Sequence, residues 1–284
     1  MTTRATQLTV GLPRRGAISG VIASLGDLVR RRRLTWYLVV ASVRRQGADT
    51  LLGNLWWFFD PALQLAIYYL LVAVIFQRAQ PAYILFLAAA ILPWKWFTAA
   101  LAGATNSIRS REAVMRQIAF PTIVLPVSEV LAETASFAFS IVPLAALYLI
   151  YPERLTPWVL TIPLIAAVQL LWTIPLAMLL AAANVFLRDI GLFVSHALRL
   201  WFYLSPALFS VETLRGLGDR HPPFGVFVTL NPFTWIFGAY RDAIYEGRAP
   251  DWFSLLALTL AGLPVLFVAT YLFRRAAPSF VKVL

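Results

Sequence analysis

No cysteine occurs in the 284 residues, and lysine and histidine occur only twice each, as Lys95, Lys282, His196 and His221. Missing thiols exclude disulfides, thiolate metal sites and cysteine nucleophiles, and leave the redox compartment open. Charge is scarce too. Asp, Glu, Lys and Arg make up 13% of the chain, against about a quarter in a water-soluble domain. Half the usual charge does not cover the surface of a soluble globule of this length. There is no GxxxxGK[ST] loop, no HExxH and no GxSxG. His196 and His221 are isolated, and a lone histidine near a span end reads as structural. No catalytic residue, metal or cofactor is therefore expected in this chain.

What remains is apolar and arginine-rich. Hydrophobic residues make up 60% and the mean hydropathy is +0.75. They fall in blocks of about 20, enough to cross a hydrocarbon core of ~30 Å. Six spans are predicted, at about 55–76, 82–107, 123–151, 157–183, 192–211 and 252–273, with Arg274 and Arg275 closing the last. A short stretch at 34–41, carrying Trp36 and Tyr37 between Arg30–Arg33 and Arg44–Arg45, reads as a helix in the headgroup layer. The polar N-terminus precedes no short apolar segment with a small-residue cleavage site, so no cleaved signal peptide is expected.

Residues 224–240 are apolar enough for a seventh crossing, but Asn231 as N-cap and Pro232 as first helical residue start a new helix there. Charge decides the count. Six spans place sixteen basic residues on one side and six on the other, with Lys95 and Arg199 inside spans. A seventh crossing would expose the basic C-terminus, against the positive-inside rule. The predicted fold is therefore an all-α integral membrane protein with six transmembrane helices. It would have an N-terminal amphipathic interfacial helix and an external re-entrant helical hairpin. Residues 1–54 form the cytoplasmic N-terminal region, 55–274 the spanning domain and 275–284 the cytoplasmic tail. Within the spanning domain, 108–122 is a polar segment and 212–250 the hairpin. The net charge of +11 then reports topology and anionic lipid, and no nucleic-acid partner is expected.

Intramembrane charge narrows the function. Ion-coupled carriers usually need acidic residues deep in their spans. Asp60, Glu129 and Glu133 fall near the proposed cytoplasmic ends, and the middles of the last three spans hold no carboxylate. This opposes a secondary transporter or an embedded acid–base enzyme and suits a passage energised from elsewhere. Lys95 either snorkels to the surface or faces that passage. Aromatic residues crowd at span ends, where a sugar path and an ordinary interfacial belt look alike in sequence.

Six local patterns follow in order over residues 30–284. Leu52-Gly53-Asn54-Leu55-Trp56 with Pro61 reads as LGxxWxxxxP, and Arg116 through Phe120-Pro121 to Leu125-Pro126 as FP…LP. Asn184 through Arg188-Asp189 reads as N-x-x-x-R-D, and Ser205-Pro206 is an SP in the fifth span. Asn231-Pro232 with Arg241 gives NP…R in the hairpin, and 278–284 closes the chain. Together they resemble the ABC-2 type permeases of bacterial polysaccharide export, the O-antigen and teichoic-acid group. Asp60 stands where the family more usually has an uncharged residue.

The resemblance implies a homodimer with two separate ATP-binding cassette subunits, which carry ATP and magnesium, in the bacterial inner membrane with both termini cytoplasmic. It implies a polyprenyl-linked polysaccharide as substrate. A small amphipathic drug or lipid is the alternative within the class, and an ion-coupled carrier or embedded enzyme the alternative outside it. Residues 109–121, with Arg111, Arg116, Phe120 and Pro121, would form the coupling helix. Arg188 and Asp189 would fix the turn at a span end or touch the ATPase. Arg30, Arg31, Arg32, Arg33, Arg44 and Arg45 would hold the pyrophosphate of the lipid-linked glycan, because guanidinium grips phosphate bidentately, or else membrane lipid. Tyr68, Tyr69, Trp201 and Tyr203 are the candidates for the glycan path. Asn231, Pro232 and Arg241 belong to the hairpin.

Overall fold

The computed structural model describes residues 16–47, 50–75, 81–117 and 121–284, and among these there is no strand. In chain order the helices begin with α1 (Ala17–Arg30), α2 (Arg32–Gly47), α3 (Trp56–Tyr69, ending in a wider turn at Leu70–Ile75) and α4 (Tyr83–Asn106). Then come the short α5 (Glu112–Gln117), α6 (Val124–Ala138), α7 (Ile141–Ile150), α8 (Ile162–Phe186) and α9 (Ile190–Leu204). The last four are α10 (Val211–Arg220), α11 (Pro222–Leu230), α12 (Pro232–Arg241) and α13 (Trp252–Val283).

Helix α4 is the axis of the bundle and packs against α3, α6, α8, α9 and α12. Its small residues explain the position: Ala88, Ala89, Ala90, Ala100 and Ala104 are fully enclosed. Methyl-sized side chains let helix backbones approach closely, which matters where lipid gives no hydrophobic drive to pack. Buried polar groups then pin register. Gln169 donates to the Pro93 carbonyl at 2.8 Å, tying α8 to α4. Asn184 donates to the Thr105 carbonyl at 2.9 Å, and the Trp172 indole of α8 to Leu258 of α13 at 3.2 Å.

Five segments are long and apolar enough to cross a membrane: Trp56–Ile75, Tyr83–Asn106, Val124–Ile150, Pro157–Phe186 and Trp252–Phe280. The fifth predicted span, 192–211, differs. It is α9, 15 residues long, and a straight helix of that length reaches only ~22 Å. Ser205 ends it in an extended conformation, φ −95 and ψ 155, as a residue before proline prefers. The span expected at 123–151 is present, with its helix interrupted at Phe139–Ser140, where Pro143 cannot donate back to Phe139. Arg274 and Arg275 do not stop the last helix. Phe280 is fully buried against Phe273 and Phe186, and it holds α13 on the bundle to Val283. The single short helix expected near 34–41 is instead the second of two, α1 and α2, which meet at Arg31.

The arginine-rich elements gather at one end of the bundle. Gly20 of α1 lies against Arg274, and Asn106 against Asn184. The hairpin occupies the other end. There Tyr83 donates to the Leu208 carbonyl, Tyr148 to Ile244, and Tyr245 to Pro81. Helices α10 and α11 touch backbone to backbone at Gly218 and Gly225, where a Cβ on Gly218 would sit 2.6 Å from the Gly225 Cα.

Candidate functional site

At the arginine-rich end, α2 presents two different faces. Thr35, Val39 and Ser42 are buried, on the side that packs against α6. Arg33, Trp36, Tyr37, Ala41 and Arg44 recur at helical spacing on the other side and are exposed. Arg30, Arg31 and Arg32 are exposed beside them. These guanidinium groups are therefore exposed beside an exposed Trp–Tyr pair.

The buried face meets a carboxylate. Glu129 of α6 is 6% exposed. Its Oε1 accepts from the Ser42 hydroxyl at 3.0 Å, from Arg45 at 3.2 Å and from Arg111 at 2.8 Å. Arg111 also reaches Ser42 at 3.3 Å. A buried carboxylate is tolerated when paired and hydrogen-bonded. Here a single oxygen joins the N-terminal helix, the third span and the 108–122 segment. One turn further along α6, Glu133 accepts from Gln46 at 2.6 Å, and the Gln46 carbonyl accepts from Trp57 and Ser136, each at 3.1 Å. Lys95 of α4 is hydrogen-bonded to Asp60 of α3. Its partner Asp60 is the acidic residue at the uncharged position of the motif that the sequence resembles.

The described part of the 108–122 segment is seated against the bundle. Ile108 and Met115 are buried in an apolar cluster with Ile123, Val124, Phe273 and Phe280. Pro121 is half-buried and its carbonyl accepts from Val124 at 3.1 Å. The Arg116 side chain and Phe120 lie outside the described residues. Arg188 and Asp189 are both exposed, and among the described residues neither side chain makes a hydrogen bond or ion pair. The turn they occupy is closed by backbone bonds, Ile190 to Leu187 at 3.2 Å and Phe193 to Asp189 at 2.9 Å.

The SP and NP…R patterns form one unit at the hairpin. Asn231 caps α12 by accepting from the Phe233 amide at 3.1 Å, as its position before Pro232 predicts. The same oxygen accepts from the Trp201 indole at 3.1 Å, and its amide donates to Ser205 at 2.8 Å. Arg241 is buried, donates to the Ala207 carbonyl at 2.9 Å and to Phe209 at 3.3 Å, and lies 3.7 Å from the Phe86 ring centroid. Phe233 packs on Trp94 and Phe97, near the centre of α4, while Arg241 meets Phe86 close to that helix's start. Helix α12 thus runs from mid-bundle to the hairpin end.

Of the four aromatic candidates, Trp201 is committed to this packing, edge-on to Phe97 and Phe233 with its N–H bonded. Tyr68 is half-buried against Phe202, Tyr69 is half-buried, and Tyr203 is exposed. Sequence reasoning placed Glu129, Glu133 and Asp60 at span ends without their partners, and it did not single out Ser42 or Gln46. A signal was present: Ser42, Arg45 and Gln46 on one helix, and Glu129, Glu133 and Ser136 on another, are two polar stripes at matching helical spacing.

An all-helical bundle with five membrane-capable helices and buried polar pins between them is a multi-pass membrane protein. Among the described residues no group of three or more His, Cys, Asp or Glu could hold a metal ion. The chain is 30% identical over 262 residues to the O-antigen export system permease protein RfbA of Myxococcus xanthus, covering 92% of this chain and 99% of that one. It is 28% identical over 234 residues to an RfbA of Klebsiella pneumoniae, covering 79% and 87%. A second Klebsiella pneumoniae RfbA is 27% identical over 238 residues, covering 83% and 89%. The chain belongs to the O-antigen export permease family, the group its motifs resemble, and is a transport subunit rather than an enzyme. No family model matches it.

Proposed function

We propose that this chain is the membrane subunit of an ATP-driven exporter that moves a lipid-linked O-antigen type polysaccharide across the bacterial inner membrane. The relatives' names supply the substrate class. Two copies work with two ATP-binding cassette subunits, which carry the ATP and magnesium. Both termini are cytoplasmic, which places the arginine-rich end at the inner leaflet. Six crossings are reached if α9 and the residues after Ser205 together complete the fifth. Helices α10–α12 then form an external re-entrant hairpin whose turn is held by three hydrogen bonds of the Asn231 side chain, of the kind that non-helical backbone at membrane depth needs.

The observation that carries the mechanism is the shared oxygen of Glu129. The segment proposed to seat in the ATPase holds one side of it through Arg111, and the arginine-bearing helix α2 holds the other through Arg45 and Ser42. A displacement of 108–122 therefore bears directly on α2, whose exposed arginines and aromatics would meet the pyrophosphate-linked glycan in the inner leaflet. This arrangement favours a gated exporter over an ion-coupled carrier. The test is purification of the tagged chain from native membranes. An ATPase subunit recovered in equal amount, and lost with Arg116→Glu, supports the reading. Recovery of the chain alone, with transport intact in liposomes, overturns it.

A further inference from the structure

Helix α9 carries a charge at a depth where the lipid side of a span is apolar. Arg199 is exposed and makes no hydrogen bond or ion pair among the described residues. Its neighbour two residues on gives its depth. Trp201 lies edge-on to Trp94 and Phe97, near the centre of α4, at 6.0 and 5.6 Å between ring centroids. Arg199 therefore stands at mid-bundle, about 14 Å along α9 from Ile190. Asp60, Lys95, Glu129 and Glu133, the other charges of the predicted spans, are all bonded.

The residues around Arg199 sort into three sides of the helix. At ~3.6 residues per turn, Ser195, Arg199 and Tyr203 follow one another four apart along one stripe, and His196 falls beside them. All four are exposed. Phe193 and Leu200 are exposed on the adjoining side, at 68% and 62%. Val194, Leu198 and Phe202 take the third side and are buried. One side of α9 thus suits the core, one suits lipid, and the polar one suits neither. An unpaired charge at the bilayer centre is costly, and such residues turn to a bundle interior or a water-filled cavity.

We propose that this stripe lines a water-filled passage between two copies, and that Arg199 is the counter-charge for the phosphates of the lipid-linked glycan as they cross the mid-plane. The proposal rests on the exporter reading and names the residue that the charge of its cargo meets. Negative phosphates carried into a low-dielectric interior need a partner that is both cationic and a hydrogen-bond donor. Guanidinium offers a planar fork of donors matched to phosphate oxygens. The carboxylates of the predicted spans are already engaged and do not compete for it. Two copies bring two such forks to one passage. The arginines of α2 would receive the phosphates at the inner leaflet, and Arg199 would meet them halfway across.

The chain has no cysteine, so a single thiol can be placed in it without removing any other. The test uses inverted native membrane vesicles with the accompanying ATPase subunits, treated during ATP turnover with a water-soluble cationic methanethiosulfonate. The thiol of Arg199→Cys should be labelled at least about tenfold faster than that of Leu200→Cys, because the reactive thiolate is scarce in apolar surroundings. Glycan export into the vesicles should fall about tenfold in Arg199→Cys and Arg199→Gln, and by less in Arg199→Lys, which keeps the charge. The cationic reagent should restore export through Arg199→Cys, and an anionic methanethiosulfonate should not; that recovery also shows that the variant is folded. Wild-type vesicles treated alike set the baseline. Equal labelling of the two thiols, or of neither, overturns the placement of the stripe. Export unchanged in Arg199→Gln leaves the guanidinium to lipid headgroups and overturns the counter-charge, as does equal rescue by the anionic reagent. With wild-type export and an ATPase partner present, those results sink the Arg199 proposal alone. Absence of both in the wild type sinks the exporter reading, and the counter-charge with it, whatever the labelling.

Discussion

Removing the Glu129 carboxylate should cost far more than removing the exposed partner it holds. Arg111 and Arg45 both donate to the same oxygen, but the Arg111 side chain is 13% exposed and that of Arg45 is 60% exposed. Water screens an exposed guanidinium, so the Arg45 pair is worth at most about 1 kcal/mol. Glu129→Ala strands Arg111 in a low-dielectric environment, and losing one partner of a buried pair costs about 3–5 kcal/mol. We take about 3 kcal/mol, because Ser42 still accepts from Arg111 at 3.3 Å. At ~2–4 °C per kcal/mol for a chain of this size, the melting temperature in detergent should fall by about 6–12 °C. Arg45→Ala should lower it by no more than about 4 °C. In a double-mutant cycle, Glu129→Ala and Arg111→Met should couple strongly, and the double variant should recover part of the loss. The readout is thermal unfolding followed by tryptophan fluorescence, together with transport per ATP hydrolysed. Glu129→Ala melting within about 1 °C of the wild type, or Arg45→Ala costing as much as Arg111→Met, would refute burial as the source of the junction's strength.

The hairpin is expected to be intolerant of change at Asn231, which is buried. Asn231→Ala loses the cap and the bonds to Trp201 and Ser205, for about 2–3 kcal/mol by thermal shift, while Asn231→Asp keeps the two accepting roles and should lose about 1 kcal/mol. Gly262→Val would place a Cβ 2.8 Å from Leu171, wedge α8 from α13, and destabilise by about 1–3 kcal/mol; an unchanged melting point would show that Leu171 yields freely. Arg188→Glu should leave the melting point within about 1 °C, since its side chain is exposed and unbonded, yet abolish co-purification of the ATPase subunit. Retention of the partner would return this residue to a purely local role.

The amino-acid sequence by itself determined the class and much of the local structure. Apolar blocks of membrane length, sparse charge and an arginine bias demand a multi-pass helical protein, because only closed hydrogen bonding survives in lipid. Asn231-Pro232 marks a helix start by a rule that acts within three residues, and that start is observed. What lay beyond local rules was decided by contact. That the two proline motifs bond to each other across 26 residues, or that Arg241 feeds the carbonyls past Ser205, no spacing announces. The length of α9 and the continuation of α13 past Arg274-Arg275 depend on which side chains find a buried seat, Phe280 above all. Three polar residues on α2 read as the wet side of an interfacial helix until α6 brings Glu129 and Glu133 opposite them. A charge or amide has no fixed role until its partner is in place, since burial is favourable only once its hydrogen bonds are met, and the partners here are separated by more than eighty residues.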